Sequence, residues 1–273
     1  MKLKLFLTTV FLSFSLSAFA VQLDTVRIFS TAMQREIPAI VVTPGSYSPD
    51  KRFPVVYLLH GYSGNYTDWA SPERGTKFLA DTHNVILVMP DGGFSSWYFD
   101  SPIDPAMRYE TFISRELVEF VDKNFSTIAS REGRAITGLS MGGHGALYIA
   151  FRNQGVFGAA GSMSGGVDIR PFPHSWDIAK RLGTLAEHPE NWEQHTVINL
   201  MHLLTPNSLA IIIDCGTEDF FYDVNRALHK KLKYNNIPHD FISRPGAHNW
   251  AYWTNAVKFQ LLFFSEFFGA ERK

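Results

Sequence analysis

The stretch that decides the fold is Ala135-Ile136-Thr137-Gly138-Leu139-Ser140-Met141-Gly142-Gly143-His144-Gly145-Ala146-Leu147. A short apolar run ends in a G-x-S-x-G pattern, at Gly138, Ser140 and Gly142, and passes at once into a helix start rich in small residues. A serine on a sharp strand-to-helix turn holds its hydroxyl clear of the sheet. Glycines on either side let neighbouring backbone pass without a Cβ clash. The same turn puts the N–H of Met141 at a helix N-terminus, where unpaired donors favour negative charge. A Gly/Ser-rich turn with no chemistry has the same local pattern, so the reading depends on finding a base, an acid and a second N–H donor elsewhere in the chain.

The chain has 273 residues, 45% of them hydrophobic and 14% aromatic. That composition supports one large core. Charged residues make up 19% and the formal charge is −1, with no basic stripe, so nucleic acid is not an expected partner. Residues 1–20 read as a signal peptide. Lys2 and Lys4 precede an apolar run from Leu5 to Leu16, and Ala18-Phe19-Ala20 fits a cleavage site after Ala20. The run is short for a membrane span, and no membrane association is expected after its removal. Removal also takes two positive charges from the chain. The expected location is the periplasm or the medium. Residues 21–273 are expected to form a single domain. The lone cysteine, Cys215, excludes an internal disulfide and reads as a buried thiol at a strand end.

Outward from Ser140, the chain alternates strands with helices. Val21–Phe29 and Arg35–Val42 alternate apolar and polar residues, as two antiparallel edge strands would. Phe53–Leu59 and Val85–Met89 are continuous apolar runs, as in a parallel sheet covered on both faces. Residues 72–82 and Tyr109–Phe125 read as helices, the second with Phe112, Ile113, Leu117, Phe120 and Val121 on one face. Strands follow at Ile136, Val156–Met163, Leu209–Ile213 and Phe241–Ser243, with helices over Val224–Tyr234 and Trp250–Phe268. Residues 167–207 differ: two amphipathic pieces, Trp176–Leu182 and Asn191–Leu204, are separated by His188-Pro189 and read as a helical excursion. The pattern predicts an α/β fold, mostly parallel, with helices on both faces of the sheet. In such sheets the site lies at the carboxyl ends of the strands.

Serine needs a base and an orienting acid before it is a useful nucleophile. Of the ten histidines, His248 is the best base, in the loop Pro245-Gly246-Ala247-His248-Asn249 before the last helix. His60 is expected to support the loop after its strand, and His144 to pack or bond locally on the helix after Ser140. The other seven histidines read as surface residues. The acid is assigned to Asp219, in Cys215-Gly216-Thr217-Glu218-Asp219. Glu218 is adjacent, Asp223 is placed to cap the next helix, and Asp214 lies too far inside its strand. The order Ser140, Asp219, His248 is that of α/β-hydrolases. The second oxyanion donor falls to the N–H of Tyr62, in His60-Gly61-Tyr62, paired with that of Met141. No metal-binding pattern such as H-E-x-x-H appears, and no metal or cofactor is expected.

With those motifs assembled, the chain resembles the esterase D-like branch of the α/β-hydrolases. This branch includes S-formylglutathione hydrolases, feruloyl esterases, tributyrin-type esterases and mycolyltransferases. The resemblance rests on Tyr57-Leu58-Leu59-His60-Gly61, Asp68-Trp69, Tyr109-Glu110-Thr111-Phe112, Gly138-Leu139-Ser140-Met141-Gly142-Gly143, Gly216-Thr217-Glu218-Asp219 and Gly246-Ala247-His248. It implies an α/β-hydrolase fold with Ser140 as nucleophile, Asp219 as acid, His248 as base, and Tyr62 and Met141 as oxyanion donors. The implied activity is hydrolysis of a small-molecule or polysaccharide-linked ester, acetyl or feruloyl. A mycolyltransferase-type acyl transfer and a formylglutathione-type thioester hydrolysis are the alternatives. Trp69, Trp97 and Tyr98, and with them Phe99 and Trp176, are candidate substrate-stacking residues; covering the edge of the core is the other role open to them. Composition and motifs do not determine an oligomeric state.

Overall fold

The computed structural model describes residues 21–270. The signal-peptide expectation for residues 1–20 lies outside them. Eight strands form one sheet in the order β1-β2-β4-β3-β5-β6-β7-β8. They are β1 Gln22–Ser30, β2 Arg35–Thr43, β3 Val55–Leu59, β4 Ile86–Pro90, β5 Arg134–Gly138, β6 Ala159–Met163, β7 Ala210–Gly216 and β8 Asp240–Arg244. From β4 to β8 every neighbouring pair is parallel. The first two strands pair antiparallel, and β2 then pairs antiparallel with β4. Of the two expected edge strands only β1 is one; β2 lies inside the sheet, where its second half is continuously buried, and β8 forms the other edge.

The apolar runs are buried because both faces are covered. Along β3, Val55, Tyr57 and Leu59 belong to the core on one face, and Val56 and Leu58 to the core on the other. This alternation is the period of a strand. One face carries α1 (Thr76–His83) and α8 (Trp250–Ala270), through Leu79, Ala80, Val257, Leu261 and Phe264. The other carries a helix built of α2 (Tyr109–Thr111), a π turn (Phe112–Leu117) and α3 (Val118–Asn124). Beside it lie α4 (Met141–Arg152) and α7 (Tyr222–Tyr234). The excursion contains α5 (Ile178–Leu182), α6 (Pro189–Gln194) and a 3-10 turn over Val197–Leu203, and its Ile178, Leu182, Trp192 and Val197 join that second core. No helix among the described residues is long and apolar enough to cross a membrane.

Two further expectations change in three dimensions. His195, read as a surface residue, is 8% exposed. It stacks on Tyr148, which stacks in turn on His144, so a ring column ties the excursion to α4. Asp223 sits exposed in the first turn of α7 and pairs with Arg226. Asp219 meets the first N–H groups there instead, with its Oδ1 accepting from Phe221 N at 2.8 Å.

Candidate active site

Ser140 follows β5 at φ 55° and ψ −117°, a strained conformation for a residue with a side chain. The flanking glycines are required there. A Cβ on Gly138 would lie 2.7 Å from the carbonyl of Gly142 and from Leu59 O, and one on Gly142 would lie 2.6 Å from the carbonyls of Leu59 and His60. The elbow is therefore wedged against the end of β3. Bonds from Ser140 N to Met163 O (2.9 Å) and from His144 N to Ser140 O (3.0 Å) hold it.

The loops after β7 and β8 are bonded to each other, Thr217 N to Arg244 O and Glu218 N to Gly246 O, both at 3.0 Å. This brings Asp219 and His248 together. His248 Nδ1 lies 2.8 Å from Asp219 Oδ2, and His248 Nε2 lies 2.9 Å from Ser140 Oγ. With Oδ1 engaged by Phe221 N–H and Oδ2 by His248, the carboxylate has no rotational freedom. Asp219 is 5% exposed and Ser140 is 9% exposed. A carboxylate held on Nδ1 leaves the Nε2 lone pair directed at a hydroxyl, which is the arrangement for removing that hydroxyl's proton. Glu218 is exposed and takes no part in this chain of bonds. Asp214 is fully buried in another pairing, with Arg244 Nη2 at 3.0 Å and with the Tyr252 hydroxyl. Cys215 is buried, and its surroundings push the thiol pKa up, away from thiolate chemistry.

Tyr62 follows His60-Gly61 against the elbow: a Cβ on Gly61 would fall 2.6 Å from Leu139 Cδ1 and 3.5 Å from Ser140 Cβ. Among the described residues, neither Tyr62 N–H nor Met141 N–H donates to a protein acceptor. His60 sets the loop. Gly92 N–H donates to its Nε2 at 2.7 Å, so the ring proton is on Nδ1, which lies 2.8 Å from Gly61 O. Burial pushes this imidazole pKa down and keeps it neutral. In a trans peptide the C=O and the following N–H point in opposite directions. Holding Gly61 O on one side thus directs Tyr62 N–H to the other.

A cavity of about 320 Å³ lies over Ser140 and His248. Its walls include Tyr62, Trp176, Phe220, Trp250 and Trp253. Trp69, Trp97, Tyr98 and Phe99, expected as stacking residues, are not among them, and this is a correction. Trp69, Trp97 and Tyr98 are 1%, 1% and 0% exposed. Each is tied inward: Trp69 Nε1 donates to Leu59 O, Trp97 Nε1 to Trp176 O, and Tyr98 Oη to His60 O. Large rings in the loops above the sheet cover the edge of the core here. Of the aromatic residues considered, only Trp176 faces the cavity. Phe220, Trp250 and Trp253 were missed, although adjacency could have marked them. Phe220 follows Asp219 directly and lies tilted over the His248 ring with centroids 4.2 Å apart, and Trp253 stands edge-on to that ring at 4.8 Å.

A mostly parallel doubly wound sheet with a strained serine after β5 and an Asp–His pair on the loops after β7 and β8 defines an α/β-hydrolase. The chain belongs to the family described as Putative esterase, whose model matches residues 30–264. It is 38% identical over 237 residues to an esterase of Mycobacterium tuberculosis, covering 76% of this chain and 51% of that protein. The chain thus spans about half the length of that relative. It is 26% identical over 255 residues to an acetyl esterase of Caldicellulosiruptor saccharolyticus, covering 85% of this chain and 94% of that one. A solved ferulic acid esterase superposes with a TM-score of 0.78 at 29% identity, over 92% of this chain and 99% of the other.

Proposed function

We propose that this chain is an exported serine carboxylic-ester hydrolase acting on short-chain acyl or polysaccharide-linked esters, acetyl or feruloyl. The observation that carries the reading is the unbroken chain of bonds from Asp219 through His248 to Ser140. Ser140 Oγ attacks the ester carbonyl as His248 Nε2 takes its proton. The oxyanion is received by the N–H groups of Tyr62 and Met141, each worth about 3–4 kcal/mol in the transition state. His248 then protonates the departing alcohol, leaving an acyl group on Ser140. Water deprotonated by His248 releases the acid. Asp219 holds the tautomer and stabilises the imidazolium throughout.

Export is supported by the Lys2/Lys4 and Leu5–Leu16 pattern and is tested by finding Val21 at the N-terminus of the exported protein. The aromatic cavity and the named relatives support acetyl or feruloyl esters as substrates. The decisive experiment is hydrolysis of p-nitrophenyl acetate and methyl ferulate, together with labelling by a fluorophosphonate probe. Wild type turns over at least one ester and is labelled, while Ser140→Ala does neither. Full activity in Ser140→Ala overturns the reading.

A further inference from the structure

Beyond the Tyr62 side of the Ser140 cavity lies a second cavity of about 290 Å³. Arg35, Glu36, Asp91, Phe94 and Tyr109 contribute to its lining. It opens on the same edge of the sheet as Ser140. Because β2 runs antiparallel to β4, with Ala39 opposite Pro90, the start of β2 meets the residues after β4 at the carboxyl edge. The Tyr62 ring lines the first cavity and the Phe94 ring lines the second, with centroids 4.9 Å apart and planes at 68°. The linings of the two cavities therefore meet at this ring pair, which Ser63 N braces by donating to Phe94 O at 2.8 Å.

Phe94 is 58% exposed, so packing does not explain its position. Arg35 is held by Tyr109: Nη2 donates to the Tyr109 hydroxyl at 3.1 Å, and the guanidinium lies 5.7 Å over that ring. Among the described residues it makes no ion pair. Asp91 Oδ1 accepts from Gly93 N–H at 2.8 Å. An open aromatic face beside a fixed donor and a fixed acceptor matches a neutral sugar, whose C–H face packs on a ring while its hydroxyls bond at the rim. An anion would meet two carboxylates, Glu36 and Asp91, against one guanidinium. An alkyl chain would leave those charges unanswered.

We propose that this second cavity is a leaving-group subsite, which holds a neighbouring sugar unit of an acylated oligosaccharide while its ester lies over Ser140. The proposal rests on the ester-hydrolase reading above.

Acetylated xylotriose, acetylated xylose and p-nitrophenyl acetate separate the two ideas. Wild type is expected to favour the trimer over the monomer by about tenfold in kcat/KM, a difference within reach of one ring and two polar groups. Phe94→Ala and Arg35→Gln should each remove most of that preference through KM, with p-nitrophenyl acetate turnover unchanged. A wild type that does not distinguish trimer from monomer overturns the subsite, as does a preference that both variants retain. Calorimetric titration of unmodified xylotriose into Ser140→Ala keeps the test independent of turnover. Binding that is weakened by Phe94→Ala supports the subsite even if no ester is cleaved, and absence of binding overturns it. Failure to cleave any ester overturns the hydrolase reading alone.

Discussion

On one side of the Ser140 cavity, Ser140, Asp219 and His248 each stand within about four residues of the end of β5, β7 or β8. On the other side stands Trp176, backed by Trp97, Tyr98 and Asp177; these belong to long segments far from any strand end, and all four have positive φ, at 49°, 54°, 60° and 56°. The first side takes its geometry from the ladder of the parallel sheet. The second takes it from interlocked side chains. Arg181 Nη1 pairs with Asp104 Oδ2 at 2.7 Å and Nη2 bonds Ser95 Oγ at 3.2 Å, while Ser101 Oγ donates to Arg181 O at 2.6 Å. Trp97 Nε1 donating to Trp176 O adds a further tie. Backbone strain of about 1–3 kcal/mol per residue is sustained there because packing over-determines the conformation. The contrast is between chemistry placed by strand ends and shape placed by packing.

Substitution should separate the two sides cleanly. The largest effect is expected on the strand-end side. Ser140→Ala should lower kcat by about 10⁴–10⁶-fold with the Tm preserved. Asp219→Asn should cost about 10³–10⁴-fold, through loss of the correct tautomer. Asp214→Asn, five residues earlier, should mainly lower the Tm, because that carboxylate serves Arg244 and Tyr252. Equal kinetic losses at the two aspartates would break the distinction between them.

Next in size is the packing side. Trp97→Ala should cost about 3–5 kcal/mol of stability, as expected for a large buried ring, and denaturant unfolding would read it. If only KM moved, Trp97 would belong to the substrate after all. His60→Ala lies between the two kinds of effect. By freeing the Gly61–Tyr62 peptide it should reduce kcat about 10–100-fold with KM little changed, part of the loss expected for an oxyanion donor. Phe220→Ala is expected to be milder, a few-fold in kcat/KM with the Tm nearly unchanged, because the ring is 52% exposed and rests on His248.

The smallest effect is acid sensitivity. His60, His144 and His195 are all pushed down by burial, His144 to about 4. They stay neutral in the fold and titrate near 6.5 when unfolded, so the unfolded chain takes up protons first. Stability is therefore full above about pH 6.5 and falls as the pH drops toward 4, by a few degrees of Tm. His144→Phe should flatten part of that fall in a thermal melt series. An unchanged pH dependence in the variant would mean that the ring column does not titrate.

The chain order Ser, Asp, His could be read because Ser140 and Asp219 each follow an apolar run that has to be a buried strand, and His248 stands in a Gly-containing loop before the last helix. Glycines at Gly138 and Gly142 mark a backbone contact that only one residue type permits. The buried thiol of Cys215 and the supporting role of His60 were legible for the same reason, since both sit at strand ends. The aromatic residues were not. Nothing local distinguishes Trp97, sealed against α4, from Phe220, open beside His248; both are large rings in segments that follow a strand. His195 was misread because burial of one helix by another is a property of the pair.

By itself the sequence determined the parallel sheet, the elbow at Ser140 and the chain order of its partners, because hydrophobic runs and glycine spacing are local constraints. Only the tertiary structure decided which rings line the cavity, that His195 is buried, and that a second cavity stands beside Tyr62 and Phe94. Those outcomes depend on which long loops meet at the sheet's carboxyl edge, and that is settled by side-chain packing between segments far apart in the chain.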